Sequence, residues 1–133
     1  MQIIDTVVLL AYLDEKDPRS QRATEHVFDI GLGTDVFIPS ATMHELDLEI
    51  KAHRMRYGER ADIYSRLARL LPQDRILPST PSVLLRASEL SKVATWRSPY
   101  FDTIIAATGL EYGADSVITT DRKFSKLGIK PIF

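Results

Sequence analysis

Short apolar runs that alternate with helix-opening signals constrain this chain more than any other feature. Met1 to Asp5, Val36 to Pro39, Arg75 to Pro78, Ser116 to Thr119 and Lys130 to Phe133 read as short strands, with helical patterns between them. Strands that alternate with helices imply a parallel sheet covered by helices on both faces. The expected fold class is therefore α/β, a three-layer α/β/α arrangement around a short, mainly parallel central sheet. Residues 1–133 read as one domain, with no internal repeat, low-complexity tract or long linker.

The helices announce themselves by caps and periodicity. Thr6 to Leu13 follows the first strand directly. Asp17-Pro18 reads as an N-cap with proline at the first helical position, opening a helix that carries Ala23, Val27, Phe28 and Ile30 and stops near Gly31 and Gly33. Ser40 opens a long helix with Met43, Leu46 and Ile50 on one face, and Gly58 separates it from a helix over Glu59–Leu71 lined by Ile63, Leu67 and Leu70. Thr80-Pro81 repeats the cap-plus-proline signal for a helix through Ala94, with Val83, Leu84, Ala87 and Leu90 facing inward. Ser98-Pro99 repeats it again for a helix running to Tyr112.

Composition narrows the function classes. At 44% hydrophobic and 26% charged the chain is neither disordered nor membranous. No apolar stretch approaches the roughly 20 residues that a membrane span needs, and the N-terminus lacks the basic segment of a cleaved signal peptide. A cytoplasmic location is the default expectation. Cysteine is absent, which excludes disulfides and thiolate metal ligation.

Four acids sit where surface decoration does not explain them. Asp5 interrupts Ile3-Ile4-Asp5-Thr6-Val7-Val8, and Asp102 interrupts Tyr100-Phe101-Asp102-Thr103-Ile104-Ile105. Asp121 closes Ser116-Val117-Ile118-Thr119-Thr120, and Glu45 lies in the first turns of the helix after Phe37-Ile38-Pro39. A carboxylate in apolar surroundings is costly unless paired, hydrogen-bonded or bound to a cation. In open α/β sheets, sites form outside the carboxyl ends of the strands. Asp5, Asp121 and Glu45 each follow a strand, so three acids arrive at one edge of the sheet. Oxygen-only ligation favours Mg²⁺ or Mn²⁺.

Each acid also has a plainer reading. Asp5 and Asp121 suit N-caps, whereas Asp102 lies about one turn inside its helix, past the capping positions. Glu49, one turn after Glu45, is a fifth acid whose simpler role is to face solvent. His26, His44 and His53 are scattered, and Leu48 occupies the place of the second histidine that a zinc-protease helix needs. No glycine-rich phosphate loop is present.

The net charge is −1, but its distribution is uneven. Between Lys51 and Leu70, six basic residues (Lys51, Arg54, Arg56, Arg60, Arg66, Arg69) stand against Glu59 and Asp62, a local balance of +4. Such a stripe suits a nucleic-acid backbone, with Arg54, Arg56 and Arg60 as its first candidates, or it is a solvated helical face.

The order and setting of these residues resemble the PIN domain, in particular the small single-domain type of the VapC toxins. Asp5-Thr6 matches the opening aspartate. Glu45 in Ser40-Ala41-Thr42-Met43-His44-Glu45-Leu46 matches the glutamate of the third helix. Asp102 in Asp102-Thr103-Ile104-Ile105-Ala106-Ala107 matches the central aspartate, and Thr119-Thr120-Asp121-Arg122-Lys123-Phe124 matches the closing threonine-x-aspartate. Val7 and Gly109 depart from the pattern without touching a proposed ligand.

The resemblance implies a Mg²⁺- or Mn²⁺-dependent endoribonuclease, with Asp5, Glu45, Asp102 and Asp121 as catalytic, metal-binding acids. Thr6 and Thr119 stand ready to hold a ligand or a water by their hydroxyls. RNA is the implied substrate, a homodimer the implied assembly, and an antitoxin protein a further partner if the chain is a toxin. The apolar residues of Glu59–Leu71 and Thr80–Ala94 are the expected dimer surface. Two alternatives stay open at this stage: an RNA-processing nuclease unrelated to toxins, and a non-catalytic module that binds RNA or assembles with a partner.

Overall fold

A computed structural model describes residues 1–133. Its strands are β1 (Gln2–Ile4), β2 (Val36–Pro39), β3 (Ile76–Leu77), β4 (Ser116–Ile118) and β5 (Lys130–Ile132). Its helices are α1 (Thr6–Leu13), α2 (Ser20–Gly31), α3 (Ser40–Ala52), α4 (Arg54–Tyr57), α5 (Arg60–Leu70), α6 (Pro81–Leu90) and α7 (Tyr100–Glu111), with short 3₁₀ segments at Gln73–Arg75 and Arg122–Leu127. The sheet order is β3-β2-β1-β4-β5, and every pairing is parallel. Gln2 lies opposite both Val36 and Ser116, and Ile4 opposite Ile118.

Alternation along the strands builds two cores, because successive side chains leave a strand on opposite faces. Ile4, Val36, Ile38 and Ile118 enter one core with Val8 and Leu9 of α1, Val27 and Ile30 of α2, Leu46 and Ile50 of α3, and Ile63 and Leu67 of α5. Ile3 and Val117 enter the other with Val83 and Ala87 of α6, Ile104 to Ala107 of α7, Phe124 and Leu127. Residues of β1 and β4 that are buried on both faces explain why these strands read as unbroken apolar runs. Beyond β1 the chain steps outward through β2 to β3, then returns to the other side of β1 as β4 and β5. The crevice where the winding reverses lies at the carboxyl ends of β1 and β4.

Several local expectations are corrected. Asp17 does not cap α2; its carboxylate accepts from the Arg19 N–H and grips the Arg19 guanidinium at 2.8–2.9 Å, closing a turn one step before the helix begins at Ser20. Ser40 is the first residue of α3 rather than its cap, and its hydroxyl shares a 2.8 Å hydrogen bond with Ser79. The long helix breaks at His53 (φ −128°, ψ 48°), five residues before Gly58, and restarts as α4. Ser98 takes φ +56°, Pro99 becomes the cap of α7, and Asp102 falls in the first turn of that helix rather than past it. Helix α6 ends at Leu90, although Ala94 beyond it is still buried.

One inward assignment also changes. Leu84 is 46% exposed, because only Val83 and Ala87 of α6 turn fully inward. Gly109 has a packing reason: a β-carbon there would lie 2.7 Å from the Cδ1 atoms of both Ile3 and Ile129, so alanine would require both isoleucine tips to move aside. No helix is long and apolar enough to cross a membrane.

Candidate metal centre

Asp5 follows β1 directly and caps α1, so its plainer reading holds. Its Oδ1 accepts from the Thr6 N–H at 2.7 Å, and its Oδ2 accepts from the Thr119 hydroxyl at 2.7 Å. The side chain is buried, and burial is the main cause that pushes its carboxyl up to about 7. The nearby charges of Glu45 and Asp102 push the same way, while the two hydrogen bonds oppose them.

Glu45 reaches this edge from α3, whose start is tied to β1 by the Thr42 hydroxyl donating to the Ile4 carbonyl at 3.0 Å. Burial raises its pKa above the usual carboxylate range; the nearby Thr6 hydroxyl acts against that rise without closing a hydrogen bond of good geometry, and the charges of Asp102 and Glu49 add to it. Asp102 comes from the first turn of α7. Burial lifts it as well; the Trp96 indole N–H, which donates to Oδ2 at 2.9 Å, favours the charged form, and the charge of Asp121 raises it further.

Asp121 follows β4 and caps the 3₁₀ segment, its Oδ1 accepting from the Lys123 N–H at 2.9 Å. Its own N–H donates to Thr119 Oγ1 at 3.0 Å. A single threonine hydroxyl therefore links the ends of β1 and β4.

The structure thus brings all four predicted acids to the carboxyl ends of adjacent strands, in a chain of mutual repulsion from Asp5 through Glu45 and Asp102 to Asp121. Both predicted threonines are there too. Thr6 Oγ1 is buried without a hydrogen-bond partner. Buried hydroxyls in folded proteins are nearly always satisfied by protein or water. Acids that raise one another's pKa beside an orphaned hydroxyl fit a divalent cation and its water. No three of the chain's histidine and carboxylate side chains are gathered tightly enough to hold an ion as they stand. Glu49 lies toward this edge but is bound loosely to His53, at 3.6 Å.

The predicted basic residues are placed elsewhere, and none contacts the four acids. Arg56 grips Asp14 at 2.7–2.8 Å, and Arg60 grips Asp47 with two hydrogen bonds of 2.6 and 2.8 Å. Arg54 is exposed on α4 beside the fully exposed Met55. Two residues at the centre were not singled out by sequence. Trp96 comes from the irregular segment before α7, with no periodicity to mark it. Lys123 was visible only as part of the Thr119–Phe124 motif; its ammonium lies 3.4 Å from Asp121 Oδ2 and 5.5 Å from the centroid of the Trp96 ring.

Comparison with known structures agrees with this architecture. FitAcB from Neisseria gonorrhoeae superposes with a TM-score of 0.76 at 22% identity, covering 100% of this chain and 97% of the other. VapC20 from Mycobacterium tuberculosis, described as a sarcin-ricin loop cleaving toxin, gives 0.71 at 18% identity, covering 97% and 96%. VapBC2 from Rickettsia felis, solved bound to a DNA fragment from their promoter, gives 0.70 at 13% identity, covering 98% and 96%. No curated protein matches the chain in sequence. The family model described as the PIN domain matches residues 3–130, nearly the full length, and the chain belongs to that family.

Proposed function

We propose that this protein is a divalent-metal-dependent endoribonuclease using Mg²⁺ or Mn²⁺, and that it is the toxin of a toxin–antitoxin pair. The carrying observation is the line of mutually repelling acids from Asp5 to Asp121 at the reversal point of the sheet. Similarity to a protein described as a sarcin-ricin loop cleaving toxin, and to toxin–antitoxin assemblies, supports the substrate and the partner.

Asp5, Asp102 and Asp121 would hold the cation, with Glu45 as ligand or as the group that orients water. When bound, the cation supplies positive charge to the scissile phosphate and lowers the pKa of its water. The protein's own part is to hold these groups still. Thr119 and the Thr6 amide fix both oxygens of Asp5, and Trp96 fixes one oxygen of Asp102. Glu45, lifted above the ordinary carboxylate range, is suited to taking a proton from the attacking water as the phosphorus–oxygen bond to the leaving ribose breaks.

The test is incubation with assorted RNAs with and without Mg²⁺ or Mn²⁺. Cleavage that depends on the ion and returns after chelation and re-addition supports the reading; RNA left intact in every condition refutes it. A homodimer through the exposed Leu84, Leu85 and Val93 at and just beyond α6 belongs to the same proposal. Light scattering at micromolar concentration checks it, a monomer being the contrary result.

A further inference from the structure

We propose that Trp96 and Lys123 together set the geometry of Asp102 and Asp121 for the divalent cation. Trp96 is a positioning residue, and Lys123 is a resident positive charge that the arriving ion displaces. The proposal rests on the metal reading above and deepens it.

Four observations carry it. First, the Trp96 indole N–H commits Asp102 Oδ2 at 2.9 Å, which fixes the carboxylate plane and leaves Oδ1 for an ion. Second, Lys123 is the one base in direct contact with the acid line. It caps Asp121 Oδ1 through its backbone N–H at 2.9 Å and sets its ammonium 3.4 Å from Oδ2.

Third, that same ammonium lies over the Trp96 ring at 5.5 Å, so the two residues meet each other as well as their acids. The ion pair is loose beside the 2.6–2.8 Å arginine pairs on the helical face. A compact ammonium on a flexible stem is also easily exchanged. Fourth, the Thr6 hydroxyl, 2% exposed, lies near Glu45 without closing a hydrogen bond to it, so polar capacity is left over in the crevice.

The chemistry is an exchange of cations. With no divalent ion bound, Lys123 offsets part of the repulsion between Asp102 and Asp121; in its presence one site cannot serve both charges. The lysine then leaves Asp121 and comes away from the indole face. Trp96 is the chain's single tryptophan, so its emission reports on this site, and Lys123→Met separates the lysine's departure from binding at Asp102.

The experiment combines calorimetric titration of Mg²⁺ with tryptophan emission, on the wild type, Lys123→Met and Trp96→Phe. Methionine keeps the length and apolar stem of lysine while removing its charge. The wild-type emission should change saturably with Mg²⁺, at the midpoint given by heat. Lys123→Met should bind Mg²⁺ several-fold more tightly and lose most of the emission change. Trp96→Phe should bind it about tenfold more weakly, the scale for losing a group that orients a ligand.

Unchanged or weaker Mg²⁺ affinity in Lys123→Met overturns the inference, as does a silent emission while heat shows Mg²⁺ binding. Should Trp96→Phe fail to fold, the lysine variant decides alone. Absence of any Mg²⁺ heat from the folded wild type is a different failure: it removes the metal reading itself, and this inference with it.

Discussion

Aspartates at two places in this protein are treated in opposite ways. At the ends of β1 and β4 and the start of α7, Asp5 is buried and Asp102 half-buried, both near other acids and both with raised pKa values. Along the helical side, Asp14, Asp17 and Asp47 each meet an arginine, Arg56, Arg19 and Arg60 in turn, whose hydrogen bonds lower their pKa. The chain has arginines to spare, yet the crevice receives only one loosely held lysine. Surface pairs of the second kind add little to stability, because solvent screens them. The first kind costs stability, and the fold retains it. A region that bears such a cost, while three aspartates of its neighbour are each paired with an arginine, is what the proposed divalent cation would explain.

Removing one acid from each region gives the largest contrast. Asp102→Asn should cut RNA cleavage by about a hundredfold or more, while the melting temperature holds or rises because repulsion is relieved. Asp47→Asn should leave cleavage near the wild-type rate and lower stability slightly. Equal loss of activity in both variants would erase the distinction between the regions.

pH should separate them next. Asp5 has a folded pKa of about 7 against 3.8 unfolded, so the folded state keeps a proton that the unfolded state releases. The resulting stabilisation is fully present below pH 4 and is lost as pH rises to 7, on the order of a few kcal/mol. Asp17, lowered to about 2, has the opposite sign: its contribution is present above pH 4 and lost as pH falls toward 2. Denaturant midpoints from pH 2 to 8 without divalent ions should therefore peak on the acid side of neutrality. Mg²⁺ should restore stability at pH 7 and above by binding only the native state. A midpoint that climbs steadily to pH 8 without Mg²⁺ would contradict the burial of a protonated Asp5.

The smallest effect concerns what the arginines do beyond pairing. Converting Arg54, Arg56 and Arg60 to glutamine should weaken binding to many RNA sequences alike and flatten the log–log salt dependence by about 2 if all three meet phosphates. Cleavage at saturating RNA should fall far less than in Asp102→Asn. An unchanged salt slope assigns the arginines to their aspartates alone.

The order of strands, acids and helices was legible because each rests on local chemistry. Asp5 and Asp121 could be placed at one sheet edge simply because each follows a buried apolar run. What was not legible depends on partners distant in sequence. The break at His53 has no glycine or proline to mark it, and Arg56 finds Asp14 only when α4 folds back beside α1. Asp17-Pro18 carries the letters of a cap, but Arg19 captures the carboxylate first. Trp96 lies in an irregular segment, and its bond to Asp102 needs the left-handed turn at Ser98, a conformation that serine rarely signals. Gly109 looked like a departure from pattern until Ile3 and Ile129 were seen against it.

The Thr119–Asp5 hydrogen bond also fixes when the site can exist. It joins residues 114 apart, and β1 hydrogen-bonds through the Asp5 N–H to the Ile118 carbonyl at 3.1 Å. During synthesis, β1 can pair with β2 early, but its other edge waits for β4, the better part of the chain later. At about 5–20 residues per second, that interval amounts to several seconds or more. Asp5 emerges 114 residues before Thr119, and both of its oxygens are held only once Thr119 has been made. Until β4 is made, the chain holds a scaffold on which the proposed site is still open.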